Sequence, residues 1–367
     1  RRGTGDNGNV NVSRIGDSMV ALTETPAPVR FDPATLETLG VYRYRDNMVG
    51  QITTAHPQFD AQRRCQYNYL LEFGRISKYH LYGLDADDQQ RRRIATIPVQ
   101  QPAYMHSFGM SSRYLILTEF PLVVNPLKLL LRHQPFIRNY RWQPELGTVF
   151  HIVDKETGEV VKTAHSEPFF AFHHVNAFEC GDEVVVDIVA YPDASVVDQL
   201  YLDRLQSGLP VTATGQLRRF RIGLGASGGV TVETLAAVPL ELPRFNYHSR
   251  AMRPYRYVYG AGSRGEGSFI DCLVKLDIED GTAAAWHENG CYPGEPVFVA
   301  APAAAAEDQG LVLSVVLDAA AGNSFLLLLD ASSFTEIARV QLPHHIPFGF
   351  HGNFFEQPKA REAPLNA

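Results

Sequence analysis

One pattern constrains this chain more than any other: an apolar strand that ends in Asp, a tight turn, and a second strand, repeated along the sequence. It occurs at residues 29–32, 80–85, 150–154, 273–277 and 326–330, ending in Asp32, Asp85, Asp154, Asp277 and Asp330. A degenerate sixth copy stands at residues 220–225. The aspartates are 53, 69, 123 and 53 residues apart, and the widest interval holds the degenerate copy. An Asp side chain accepts hydrogen bonds from backbone N–H groups just after it, so it caps a turn between two strands. Units of about four short strands recurring at a period near ~50 mark a β-propeller, each unit being one blade. A β-sandwich also has many strands, but not so regular a hairpin at this period.

With 45% hydrophobic and 20% charged residues, the 367-residue chain can bury a large core. We expect residues 1–367 to form a single all-β propeller domain. The net charge of −7 offers no general footing for phosphates, so nucleic acid is set aside as a partner. Cys65, Cys180, Cys272 and Cys291 are scattered without metal-knuckle spacing, which argues for a reducing compartment and a cytoplasmic location. No apolar run approaches the ~20 residues of a spanning helix. The chain opens at Arg1-Arg2-Gly3 with neither Met nor a signal-type segment, so its start is expected to be missing. Gly260-Ala-Gly262-Ser-Arg-Gly265 matches a dinucleotide fingerprint, but strand-like sequence follows it, so it reads as a hairpin turn.

Among thirteen histidines, four groups have unusual settings. His56 lies in Thr54-Ala-His56-Pro57, and His106 in Tyr104-Met-His106-Ser-Phe108. His173 and His174 lie in Phe172-His173-His174-Val-Asn176, and His351 in Phe350-His351-Gly352. All are embedded in apolar, aromatic or small residues, where an imidazole needs partners for both nitrogens. Taken singly, each is as readily a satisfied core residue as a ligand. Four of them would meet at one point if their segments line a propeller axis.

These same motifs, with Gly294-Glu295-Pro296 and the tail from Leu342 to Gly352, resemble the carotenoid cleavage oxygenase family over nearly the whole chain. Tyr104-Met-His-Ser-Phe-Gly-Met110 and Trp142-Gln-Pro-Glu145 look most like the branch of animal β-carotene oxygenases. The resemblance implies a seven-bladed β-propeller with a short helical and loop cap over a non-haem Fe(II) on the axis. It implies His56, His106, His173 and His351 as ligands, with His173 preferred to His174, and His344 and His345 as second choices. Glu24, Glu241 and Glu295 match glutamates that accept hydrogen bonds from three of the ligands. Family members carry about a hundred further residues at the start, so the first blades are expected to be absent here.

The implied activity is O2-dependent cleavage of a carotenoid or apocarotenoid double bond into two carbonyl products. Four neutral imidazoles keep Fe(II) electron-rich and leave two adjacent positions for O2. Tyr104, Phe108, Phe170, Phe172, Phe245, Phe348 and Phe350 are candidates to line an apolar substrate tunnel. Residues 120–140, apolar through Leu122 to Leu131 with Lys128 and Arg132, suit a patch that dips into a membrane surface, or else a buried cap. No obligate protein partner is evident. Three rivals share this frame: a stilbene-cleaving oxygenase, a retinoid isomerohydrolase and a lipid-binding propeller. Stilbene-cleaving relatives carry Lys just before the first of the three glutamates; Thr23 stands there instead.

Overall fold

The computed structural model describes residues 8–86, 88–129, 134–265 and 269–356. Six antiparallel sheets of four or five strands follow one another along the chain in a six-bladed β-propeller arrangement. Blade 1 runs from Asn11–Ile15 to Thr38–Val41, and blade 2 from Ile52–Thr53 to Arg92–Val99. Blade 3 runs from Gly109–Met110 to Val160–Ser166, and blade 4 from Phe170–Cys180 to Val230–Thr234. Blade 5 runs from Glu241–Arg244 to Ala283–Trp286, and blade 6 from Cys291–Pro293 to Glu336–Gln341.

The seven blades implied by the resemblance are corrected to six among the described residues. The repeated hairpin explains the count, because its six copies fall one to a blade, each at the turn before the outermost strand. Asp32 Oδ1 accepts the N–H groups of Ala34 and Thr35, Asp154 Oδ1 those of Glu156 and Thr157, and Asp330 Oδ1 those of Ser332 and Ser333. Four residues on, the backbone turns through the left-handed region at Leu36, Gly158, Gly281 and Phe334, with φ of 61°, 73°, 72° and 58°. Each of these N–H groups donates to the Asp carbonyl at 2.8–2.9 Å, closing the turn. Blade 2 carries Asp85 at the equivalent turn, and blade 4 has Gly-rich sequence there instead of Asp.

The strands stack through apolar contact between blades. Glu183–Tyr191 is buried along nearly its whole length, which is why it reads as an unbroken Val-rich run rather than an alternating one. Phe169 stacks on Phe220 with centroids 4.6 Å apart inside the largest core cluster. Fully burying one such Phe or Val side chain contributes about 1.5–3 kcal/mol.

The tail after blade 6 returns to blade 1. The His351 N–H donates to the Val10 carbonyl at 3.0 Å, and Asn353 Nδ2 donates to Asn11 Oδ1 and the Val12 carbonyl. This contact joins the tail to blade 1.

Between the second and third strands of blade 3, Leu122–Val123 pairs with Arg141–Trp142 around the short helices Pro126–Leu129 and Phe136–Asn139. Leu122, Val123 and Val124 are buried, so the apolar patch expected through Leu122 to Leu131 does not begin at the surface. Leu127 is 63% exposed and Phe136 38%; residues 130–133, including Leu131 and Arg132, lie outside the described residues. No described helix is long and apolar enough to cross a membrane.

Candidate metal centre

Each of the four blade-linked histidines stands on a different segment. His56 follows the first strand of blade 2, and His106 precedes the first strand of blade 3. His173 lies within the first strand of blade 4, and His351 in the returning tail. One ring nitrogen from each converges, all four atoms lying within 4.8 Å of one another. Nε2 of His56 is 3.0 Å from Nε2 of His106, and Nε2 of His173 is 3.1 Å from Nε2 of His351.

Local backbone features aim these rings. The strand Phe170–Cys180 slips register between Ala171 and His174 and again before Asn176. Such a bulge leaves residues out of the regular alternation and re-aims their side chains. His173 thereby faces the cluster, while His174 turns into the core, where Ser107 Oγ meets Nδ1 at 2.9 Å and Thr118 Oγ1 meets Nε2 at 2.8 Å. Thr54 Oγ1 donates to the His106 carbonyl and accepts the His56 N–H, coupling two of the segments. His344 and His345 are exposed and stand outside the group.

Three of the four imidazoles rest on carboxylates. His106 Nδ1 lies 2.6 Å from Glu24 Oε1, His173 Nδ1 2.5 Å from Glu241 Oε2, and His351 Nδ1 2.8 Å from Glu295 Oε1. A carboxylate partner puts the proton on Nδ1, so Nε2 carries a lone pair. At His173 and His351, two such lone pairs then face each other at 3.1 Å with no proton between them. That arrangement is repulsive in a bare site and attractive around a cation. The donor set therefore fits a metal ion that prefers nitrogen ligands.

Electrostatics agree. Burial, then the neighbouring imidazoles, push the His56 pKa well below its ordinary value. Burial pushes His351 down to about 4, although Glu295 pulls the other way. Burial would raise Glu241, but His173 and hydrogen bonds hold it below the usual carboxylate range; Arg244 and His351 do the same for buried Glu295. The lowered values of His56, His351, Glu241 and Glu295 suit cation binding at neutral pH. A His–Glu pair alone does not mark the site: His80 with Glu72 and His151 with Glu119 form pairs at 2.7 and 2.6 Å on other strands, outside the four-histidine group.

The aromatic candidates separate. Phe172 lies 5.7 Å from the His106 ring and 6.3 Å from His173. Tyr104 stacks over Phe170 at 6.3 Å, and Phe170 meets Phe172 at 4.9 Å. Phe108 instead packs on Tyr69 in a core cluster, and Phe245 on Tyr247 and Tyr255. Phe348 and Phe350 are exposed on the tail, Phe348 against Phe269.

Three side chains stand behind these carboxylates, and of them the sequence singles out only Tyr104, as an aromatic neighbour of His106. The Tyr104 hydroxyl donates to Glu24 at 2.8 Å, and the Tyr191 hydroxyl to Glu241 at 2.9 Å. Arg244 lies 3.6 Å from Glu295. Only Tyr104 stands beside a ligand in sequence; Tyr191 and Arg244 reach the site through tertiary pairing.

Residues 1–356 match the family model described as retinal pigment epithelial membrane protein (RPE65). The chain is 36% identical over 370 residues to the chloroplastic carotenoid cleavage dioxygenase 8 homolog A of Oryza sativa subsp. japonica. That alignment covers 95% of this chain but 65% of the relative, so the chain spans just under two thirds of its length. Identity to the β,β-carotene 15,15'-dioxygenase of Mus musculus is 30% over 402 residues, covering 95% of this chain and 70% of the mouse protein. In structure, cobalt-substituted apocarotenoid oxygenase (ACO) of Synechocystis superposes with a TM-score of 0.84 at 28% identity, over 94% of this chain and 73% of that one.

Proposed function

We propose a function from one premise: the chain belongs to the carotenoid cleavage oxygenase family, whose model is described as retinal pigment epithelial membrane protein. On this reading it is an iron-dependent dioxygenase that cleaves a double bond of a carotenoid or apocarotenoid with O2, giving two carbonyl products. His56, His106, His173 and His351 hold Fe(II), and Glu24, Glu241 and Glu295 orient three of them. The observation that carries the reading is the opposed pair of Nε2 atoms on His173 and His351. The relatives' names, carotenoid dioxygenases and an apocarotenoid oxygenase, support a polyene substrate.

Bound there, iron would supply the O2 chemistry that no side chain can perform. The chain's own part is to hold and shield. Neutral imidazoles leave the ion's full charge available, and the carboxylates fix each tautomer so that Nε2 is the donor atom. Phe172, Phe170 and Tyr104 form an apolar wall beside His106 and His173, which suits the flat face of a polyene and excludes water. Phe108 and Phe245 are left out of this wall because their ring contacts are with Tyr69 and with Tyr247 and Tyr255. No side chain is asked to act as acid or base. We place contact with a membrane surface, where carotenoids dissolve, on the segment bearing Leu127 and Phe136.

The test loads the protein with Fe(II) anaerobically and supplies β-carotene or an apocarotenal under isotopically labelled O2. The reading expects two carbonyl products, each carrying one labelled oxygen. Products that form without O2, or a failure to retain iron, would overturn it.

A further inference from the structure

The three carboxylates behind the histidines are alike in what they receive from the imidazoles and unlike in what stands behind them. Glu24 is backed by a neutral phenol, Tyr104, and Glu241 by another, Tyr191. Glu295 is backed by a cation: Arg244 Nη1 lies 3.6 Å from its Oε1. Glu24 pairs with His106 and Glu241 with His173, whereas Glu295 pairs with both His351 and Arg244. Arg244 stands on the first strand of blade 5, three positions after Glu241, and its Nη2 donates to Asn353 Oδ1 at 2.8 Å. Asn353 in turn bonds blade 1, so the guanidinium is held from a second side.

The hydrogen bonds fix the charges. Each carboxylate meets only donors: the imidazole Nδ1–H together with a phenol, a backbone N–H or both. Counted as acceptors, the three bring three negative charges. Three carboxylates and one guanidinium leave the protein shell at −2. A divalent ion makes this buried cluster neutral, and a trivalent ion leaves it one charge positive.

We infer that Arg244 sets the charge balance of the centre so that it favours a ferrous over a ferric ion. This rests on the iron reading above and names how the chain would keep the ion in its reduced state. Arg244 is a positioning residue, acting through Glu295 rather than on substrate. Glu295 is buried and its side chain only 5% exposed, so solvent screens the interaction weakly; Arg244, at 26%, is partly screened.

The test is the Fe(III)/Fe(II) midpoint potential, measured by spectroelectrochemistry on wild type, Arg244→Gln, Arg244→Lys, Glu295→Gln and the double variant Arg244→Gln/Glu295→Gln. Removing the guanidinium should lower the preference for Fe(II) by about tenfold, which for a one-electron couple is about 59 mV. Arg244→Lys should stay near wild type. Glu295→Gln should shift the potential upward, and the double variant should return toward wild type. The double variant keeps the inference testable if Arg244→Gln alone does not fold. An unchanged potential in Arg244→Gln, or a shift in Arg244→Lys as large as that in Arg244→Gln, would overturn it. A wild-type protein that binds no iron would instead end the reading of the centre itself.

Discussion

Nε2 of His173 and Nε2 of His351 lie 3.1 Å apart across 178 positions of sequence. One comes from a bulged strand in blade 4, the other from the tail that returns to blade 1. Their Nδ1 atoms are both committed to carboxylates. The site is therefore as much a product of the tail's return to blade 1 as of any single motif.

Two neighbouring histidines should behave oppositely. His173→Ala should abolish stoichiometric metal binding, measured by metal analysis after anaerobic Fe(II) loading. His174→Ala should keep one equivalent of iron but lose about 2 kcal/mol of stability in urea titration, because Ser107 and Thr118 lose a buried partner. Loss of metal in both would contradict the assignment.

The carboxylates should rank by what they hold. Glu241→Gln should weaken metal affinity by about 10–100-fold. Tyr191→Phe removes one of the bonds to Glu241 and should cost about fivefold, the equivalent of ~1 kcal/mol. Glu72→Gln, which disturbs the unrelated pair with His80, should leave affinity unchanged. Competition titration with a chelator measures all three.

Acid should unfold the metal-free protein early. Burial holds His174 down to about 3 and His351 to about 4, against an ordinary value of 6.5. Below pH 6.5 the unfolded chain therefore binds more protons at these sites than the folded one, and stability must fall as pH falls toward those values. At pH 5.5 each of the two imidazoles should cost about 1.4 kcal/mol relative to pH 8. Urea midpoints across that range check the sign and size; a midpoint that rises on acidification would refute it.

The turns carry a stability prediction of their own. Leu36 holds φ of 61° while its side chain is 73% exposed, so it bears left-handed strain with little packing in return. Leu36→Gly should raise stability by about 1 kcal/mol, read as a higher Tm. Phe334 has the same backbone conformation but is buried in a core cluster, so Phe334→Gly should destabilise instead.

Much of this was legible in the chain because it depends on local chemistry. The Asp-capped hairpins at Asp32, Asp154, Asp277 and Asp330 are short-range hydrogen-bond patterns, and with the copies at residues 80–85 and 220–225 they fall one to each of six blades. The expectation of seven came from the family resemblance, not from the residues. Arg244 and Tyr191 were not legible, because nothing nearby in sequence says that their side chains reach Glu295 and Glu241. Proximity to His106 in sequence likewise does not reveal that the Phe108 ring packs in the core against Tyr69. The pairing of Leu122 and Val123 with Trp142 and Arg141 was not legible either, because it crosses a long excursion.

The most direct test of the centre is iron X-ray absorption on the anaerobically loaded protein. The account predicts one iron per chain, with a first shell fitted by four imidazole nitrogens. Substoichiometric iron, or a shell lacking multiple imidazole scatterers, would contradict it.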